Sequence, residues 1–185
     1  MSDFDLLNAV KTEIEQNNNA HFPSEFSAFE MFLSKYEKLV YHIARRYFLN
    51  TYDAQDASQE AIIRIYRGIP NVTIEKDKNL KAWICTVTAR TCLSILRKKH
   101  VETEAVLDDF SFSTSPSAEE DTMAILEAQN ILNAMKKLKP IHRMILILRD
   151  IEGLGYEEIA EALHISIGTV KSRISRAREA LKLLL

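Results

Sequence analysis

The sequence predicts an all-α fold of two small helical domains joined by a flexible acidic linker, the C-terminal domain being a helix-turn-helix. Three observations predict it. Only four Gly and four Pro occur among 185 residues, too few chain breakers for a fold rich in strands and tight turns. Apolar residues recur at spacings of three and four through most of the chain, the period of amphipathic helices. Between Val101 and Asp121 lie seven acidic residues and no Lys or Arg, around a centre reading Ser-Phe-Ser-Thr-Ser-Pro-Ser, poor material for a packed element. The expected boundaries are an N-terminal extension over 1–25, a first domain over 26–100, the linker over 101–122 and a second domain over 123–185.

Within the extension, Phe4, Leu7, Val10 and Ile14 space out one short amphipathic helix, which Gln16-Asn17-Asn18-Asn19 ends. A helix from about Phe26 to Phe48 follows, with Phe29, Phe32, Leu33, Tyr36, Leu39, Val40, Ile43, Ala44 and Tyr47 on a broad apolar face. The next opens near Asp53 with Asp-Ala-Gln-Asp-Ala-Ser-Gln-Glu and runs through Ile62, Ile63, Ile65 and Tyr66 to Gly68, a C-terminal stop. Acidic residues at its start favour the helix dipole, so Asp53 and Asp56 read either as capping residues or, with Gln59 and Glu60, as the polar edge of a docking surface for a basic partner helix.

After a loop over Ile69–Asn79, a helix is expected from about Leu80 to Lys99. The single Trp, Trp83, stands at its start, where it is either a core anchor or a base-stacking residue. Thr86, Thr88, Arg90, Thr91 and Ser94 hold the middle, and Arg97-Lys98-Lys99 close it, as partners of the helix dipole or of phosphates. Polar side chains and cations along one helix suit contact with a DNA strand.

Beyond a helix that begins near Thr122, the C-terminal region carries the most specific pattern. A short helix from Tyr156 to Leu163 opens on the acidic pair Glu157 and Glu158 and supports a second helix. His164 falls where the chain turns sharply, a position that often needs a left-handed backbone; His accepts it at a strain of roughly 1 kcal/mol at most. Ser166 is placed to cap the second helix, whose Ile167, Val170, Ile174, Ala177, Leu181 and Leu184 share one face. Away from that stripe lie Lys171, Ser172, Ser175 and Arg176, with Arg173, Arg178 and Lys182 on the flanks; from 164 to 185 five Lys or Arg face the single Glu179. Such a face suits the major groove, since cations neutralise phosphates while Ser and Arg reach base edges.

The formal net charge is −2, so any affinity for nucleic acid must come from local concentrations of cations. Cys85 and Cys92, seven apart, offer neither a zinc-finger spacing nor a disulfide framework and are expected as reduced packing or surface residues. There is no secretory signal pattern or apolar run near the roughly twenty residues that cross a bilayer, which implies a cytoplasmic protein. No Gly-rich phosphate loop, metal-ligand cluster or nucleophile motif occurs, and His21, His42, His100, His142 and His164 are scattered, so neither an enzyme nor a cofactor or small-molecule site is expected. A stand-alone regulator binding an operator is the competing class.

These residues carry a resemblance to the extracytoplasmic function, or group four, sigma factors of bacterial RNA polymerase. Asp53-Ala-Gln-Asp56-Ala-Ser-Gln59-Glu60 followed by Ile-Ile-Arg-Ile-Tyr66-Arg67 resembles the family's polymerase-binding helix, and Leu80-Lys81-Ala-Trp83-Ile the start of its −10 element helix. Leu148-Arg149-Asp150-Ile-Glu152-Gly153, Tyr156-Glu-Glu-Ile159-Ala160 and Gly168-Thr169-Val170-Lys171-Ser172-Arg173 with Arg176-Ala-Arg178 resemble its −35 module; the likeness covers about 26–100 and 124–185 and leaves the first 25 residues unexplained.

The resemblance implies that Asp53, Asp56, Gln59 and Glu60 dock on the clamp coiled coil of core polymerase, with the flap as a second contact. It implies that Lys81, Trp83, Thr86, Arg90, Ser94, Arg97 and Lys98 serve the melted −10 strand, and that Thr169, Lys171, Ser172, Arg173, Ser175, Arg176 and Arg178 serve the −35 duplex. Catalysis would belong to the polymerase, the linker would run through its cationic channels, and an anti-sigma factor, often membrane-bound in relatives, would be a further partner. Counting from Trp83, Arg90 stands where the family commonly has Asn and Ser94 where it commonly has Asp, which predicts an altered −10 preference.

Overall fold

A computed structural model describes residues 2–17, 27–72, 79–103 and 123–185, and every regular element among them is helical. The expected linker lies almost wholly outside the described residues, as does most of the loop after Asn71.

The first helix, α1 (Asp3–Asn17), buries Leu6, Leu7 and Val10. They share a core with Phe32, Tyr36 and Val40 of α2 (Ala28–Tyr47), and Asp3 pairs with Lys35 at 2.5 Å. The described part of the N-terminal extension, residues 2–17, is therefore packed on the first half. Helix α2 starts at Ala28 because Ser27 and Glu30 form a reciprocal capping box, the Ser27 hydroxyl accepting from the Glu30 amide at 3.0 Å. Helix α3 (Thr51–Gly68) is capped by Asn50, three residues before the Asp53 at which the sequence pattern starts. It buries Ala54, Ala57, Ser58, Ala61 and Ile65, mostly small side chains that let α2 and α4 (Leu80–Thr103) lie close on either side.

At the α3 C-terminus, Trp83 lies against Gly68 so closely that a Cβ there would sit 3.1 Å from the indole. Half-buried and packed on the first-half core, Trp83 has the surroundings of an anchor. A 3-10 turn over Ile69–Asn71 follows α3, and Lys11 of α1 donates to the Val72 carbonyl just past it.

In the second half, α5 (Met123–Lys136) leads to α6 (Pro140–Leu146), with Pro140 at its first turn, where a missing N–H costs nothing. A π-helical turn over Ile147–Ile151 interrupts the run to α7 (Tyr156–Leu163), its register visible in the Glu152 amide donating to the Ile147 carbonyl at 2.9 Å. The chain leaves it at Gly153, whose φ of 79° is a left-handed conformation open to glycine. Gly155 caps the start of α7, its amide donating to the Glu158 carboxylate at 2.7 Å. His164 ends it with φ 52° and ψ 50°, the left-handed turn that the sequence pattern requires. Ser166 then accepts from the Thr169 amide at 3.2 Å and opens α8 (Ile167–Lys182). Val170, Ile174 and Ala177 are buried as the spacing predicts, whereas Ile167 at 41% and Leu184 at 39% exposure lie off the packed face.

The two halves are packed together. One continuous cluster joins Ile43, Tyr47, Cys85, Ala89 and Cys92 of the first half to Leu148, Leu154, Ile159 and Ala162 of the second. Both cysteines are buried packing residues, and burial in apolar surroundings pushes each thiol up to about 12. Arg143, 7% exposed, has no carboxylate partner among the described residues: its guanidinium donates to the carbonyls of Met135 at 3.0 Å, Leu138 at 3.1 Å, Lys136, and Tyr47 of the other half at 2.5 Å. Tyr47 and Lys136 are the last residues of α2 and α5, so the negative ends of two helix dipoles receive the buried cation.

Candidate nucleic-acid interface

Helix α8 presents its polar side outward because Val170, Ile174 and Ala177 fix the opposite side to the core. Lys171, Ser172, Ser175, Arg176 and Arg178 are exposed on it, while Thr169 and Arg173 are half-buried at its edges. Not all are equally available. Arg178 is clamped by the Asp150 carboxylate at 2.5 and 3.2 Å, a hydrogen-bonded ion pair that raises its pKa and fixes its direction. The Ser172 hydroxyl donates to the Thr169 carbonyl at 3.0 Å, and the Thr169 hydroxyl lies 2.9 Å from that of Ser166. Lys171, Ser175 and Arg176 are therefore the side chains best placed to reach outward. Partial burial, and then the charges of Lys139, Arg173 and Arg176, lower the pKa of His142, which marks a cationic flank running from α8 to the start of α6.

On α4 the candidate residues divide. The Lys81 ammonium donates to the Glu152 carbonyl at 2.9 Å and lies 3.3 Å from its carboxylate. The Arg90 guanidinium donates to the carbonyls of Glu161 at 2.7 Å and Ala162 at 3.1 Å, at the end of α7. Thr86 is buried and donates to the Ala82 carbonyl at 2.9 Å; Thr88 and Thr91 turn back on their own helix in the same way. These hydroxyls satisfy themselves inside the core and do not form an outward polar stripe. Ser94 is half-buried, and Arg97 and Lys98 are exposed at the C-terminal end. In this arrangement Arg97 and Lys98 are exposed with no partner among the described residues, and Lys81 and Arg90 are engaged by the second half.

On α3, Asp56 and Gln59 are exposed, Asp53 is paired with Lys99, and Glu60 is paired with Arg64 at 2.7 Å. Around them stand Tyr52, Ile63 and Tyr66, the first 76% exposed. Ile63 is 44% exposed, and Tyr66 is partly exposed while its ring packs edge-on against Phe29, so the α3 edge is part acidic and part apolar. Their signal was the spacing Asp56, Gln59, Ile63, Tyr66, which already places them on one helix face.

Two family models match the chain in order, Sigma-70 region 2 over residues 32–101 and Sigma-70 region 4 over 128–181. The chain is 32% identical over 146 residues to the ECF RNA polymerase sigma factor SigE of Mycolicibacterium smegmatis, covering 77% of this chain and 56% of that longer relative. It is 30% identical over 165 residues to the ECF RNA polymerase sigma factor SigW of Bacillus subtilis, covering 84% of this chain and 87% of the relative. The sigma factor RpoE of Bartonella quintana, solved in complex with the anti-sigma factor NepR, superposes with a TM-score of 0.69 at 25% identity, covering 86% of this chain and 97% of RpoE. On two regions in the family order, a shared fold and a likeness to SigW over more than four fifths of each chain, the chain belongs to the extracytoplasmic function sigma factors, the alternative sigma factors that direct transcription initiation by bacterial RNA polymerase.

Proposed function

We propose that this chain assembles with core RNA polymerase through α3 and selects promoters by reading a −35 duplex with α8 and a melted −10 strand with α4. The observation that carries the proposal is the outward placement of two unlike faces on one frame: the acidic and apolar edge around Asp56, Gln59 and Ile63, and the cationic edge around Lys171, Ser175 and Arg176. An acidic and apolar edge suits the basic clamp coiled coil of the polymerase, with the flap receiving the second half. A cationic helix edge suits phosphates and base edges, each good base contact discriminating by roughly 1–3 kcal/mol. Extracting a −10 base from the stack costs a few kcal/mol, which contacts made by region 2 repay.

The domain division at 26–100 and 123–185, with 101–122 as connector, belongs to the same proposal. So do a cytoplasmic location and an anti-sigma partner, the latter supported by the complex in which the Bartonella relative was solved. Among the described residues no helix is long and apolar enough to cross a membrane.

The test adds the purified protein to sigma-free bacterial core polymerase and maps transcript starts on genomic DNA, with no other protein present. Starts sharing one −35 and −10 pair are expected. Absence of binding to core, or starts with no common pair, refutes the proposal; operator-like DNA binding without core binding identifies a stand-alone regulator instead.

A further inference from the structure

Helix α1 carries a cation where its packing calls for an apolar residue. Leu7, Val10 and Ile14 share one side of the helix at spacings of three and four, and Lys11 falls on that same side. Half-buried there, Lys11 reaches out of the helix and donates its ammonium to the Val72 carbonyl. A stem that lies along apolar surface while its head finds an oxygen is how a Lys is kept at such a position. Two other bonds fasten α1, both to α2: Asp3 pairs with Lys35 at 2.5 Å, and the Glu13 carboxylate accepts from the Phe29 amide at 3.3 Å. The bond from Lys11 holds a different place in the fold.

Val72 is where the chain leaves the 3-10 turn after α3, its amide donating to the Ile69 carbonyl at 3.2 Å. The chain is next described at Asn79, whose carbonyl accepts from the Ala82 amide at 3.0 Å as α4 begins. Ile69 and Leu80 are buried in one cluster with Leu6, Leu7 and Val10, and Val72 and Trp83 pack against it. The apolar side of α1 therefore underlies both the exit from α3 and the entry to α4. Apolar burial is non-directional and tolerates small slides, whereas a hydrogen bond to one carbonyl does not. We propose that Lys11 is a positioning residue for −10 capture: by holding the Val72 carbonyl it fixes the path from α3 into α4, and so sets how stringently the −10 element is selected. This rests on the reading of α4 as the −10 helix. It gives α1, which lies ahead of the region 2 match beginning at residue 32, a task in promoter selection.

The experiment uses the full chain, alone and assembled with core polymerase, as wild type, Lys11→Met, Lys11→Arg and Glu13→Ala. Met keeps the stem and removes the donor, whereas Glu13→Ala cuts a bond of α1 that does not involve Val72 and so controls for a loosened helix. In the free chain, exchange of the Val72 amide followed by NMR is expected to rise about fivefold in Lys11→Met, the loss of one hydrogen bond, with helix content unchanged. In the holoenzyme, transcription is compared on promoters that share one −35 element and differ by single bases in the −10 element. The ratio between matched and mismatched −10 promoters is expected to fall about fivefold in Lys11→Met and to recover in Lys11→Arg, which keeps a charged donor. Discrimination among −35 variants is expected to stay at the wild-type ratio throughout, as is −10 discrimination by Glu13→Ala.

Wild-type exchange at Val72 in Lys11→Met overturns the proposal, because the bond then holds nothing. So does raised exchange with an unchanged −10 ratio. An equal fall of the −10 and −35 ratios, or the same −10 fall in Glu13→Ala, also overturns it and leaves α1 a matter of stability alone. Failure of the wild type to bind core refutes the proposed function and with it the promoter role of Lys11, while raised exchange at Val72 still upholds the anchor itself.

Discussion

Replacing Arg143 by Met tests the packing of the two halves most sharply. Met keeps much of the side-chain volume and removes the guanidinium, so four buried or half-buried carbonyls, those of Tyr47, Met135, Lys136 and Leu138, each lose a charged donor. Hydrogen bonds to a charged group contribute about 1.5–3 kcal/mol each, but a buried cation also carries a desolvation cost of several kcal/mol that the substitution relieves. Burial holds the Arg143 pKa below its usual value, the sign of that cost, yet not far enough to discharge an Arg. The carbonyls left without a donor dominate, and the expected net loss is about 3 kcal/mol. At about 2–4 °C per kcal/mol for a chain of this size, the melting temperature should fall by roughly 6–12 °C. Circular dichroism at equal protein concentration measures it, with Arg143→Lys falling between the two because one ammonium cannot reach every carbonyl. A Met variant that melts within 1 °C of wild type would show that these carbonyls find other donors and that the buried cation is incidental to stability.

Other expectations follow from single observations. His164→Gly should stabilise the chain by about 0.5–1 kcal/mol, since the φ of 52° strains any residue with a Cβ; chemical denaturation checks the sign. Lys171→Ala and Arg176→Ala should each weaken −35 duplex binding, and a pure phosphate contact would also reduce the salt slope by about one, which titration at several ionic strengths separates from base reading. Ile63→Ser, on the exposed α3 edge, should lower affinity for core polymerase about tenfold while leaving the melting temperature within a degree or two. The thiols of Cys85 and Cys92 stand near 12 in the folded chain against a reference of 9.0, so folding disfavours the thiolate. Stability from them is fully present below pH 9 and lost as pH rises toward 12, and below pH 9 a thiol reagent should label the native protein only as fast as it opens.

Local chemistry was legible in the sequence wherever one residue type answers one backbone need. His164 at the turn and Ser166 at the cap could be read directly, because a left-handed turn and an N-terminal amide each admit few solutions. Helix periods placed Val170, Ile174 and Ala177 inside for the same reason. The period could not place Ile167 and Leu184, because what covers the ends of a helix depends on neighbours far away in sequence. The threonines of α4 misled for a different reason: a hydroxyl can satisfy itself on the carbonyl four residues back, so polarity in the sequence need not mean exposure. Most hidden of all were the partners of Arg90 and Arg143. Their acceptors are backbone carbonyls, present at every residue, and no side-chain pattern announces which of them a distant guanidinium will find.

That choice of acceptor has a consequence for how the chain senses its surroundings. Of the groups receiving cations between the two halves, the carbonyls of Glu161, Ala162, Tyr47 and Glu152 carry no titratable proton, and the Glu152 carboxylate is the one acid among the bonded contacts described. Acidification therefore has a single carboxylate to act on among these contacts. With both cysteines inside the packing and held as thiols, oxidants meet the same indifference. A seam fastened in this way depends chiefly on which backbone carbonyls its guanidinium groups reach.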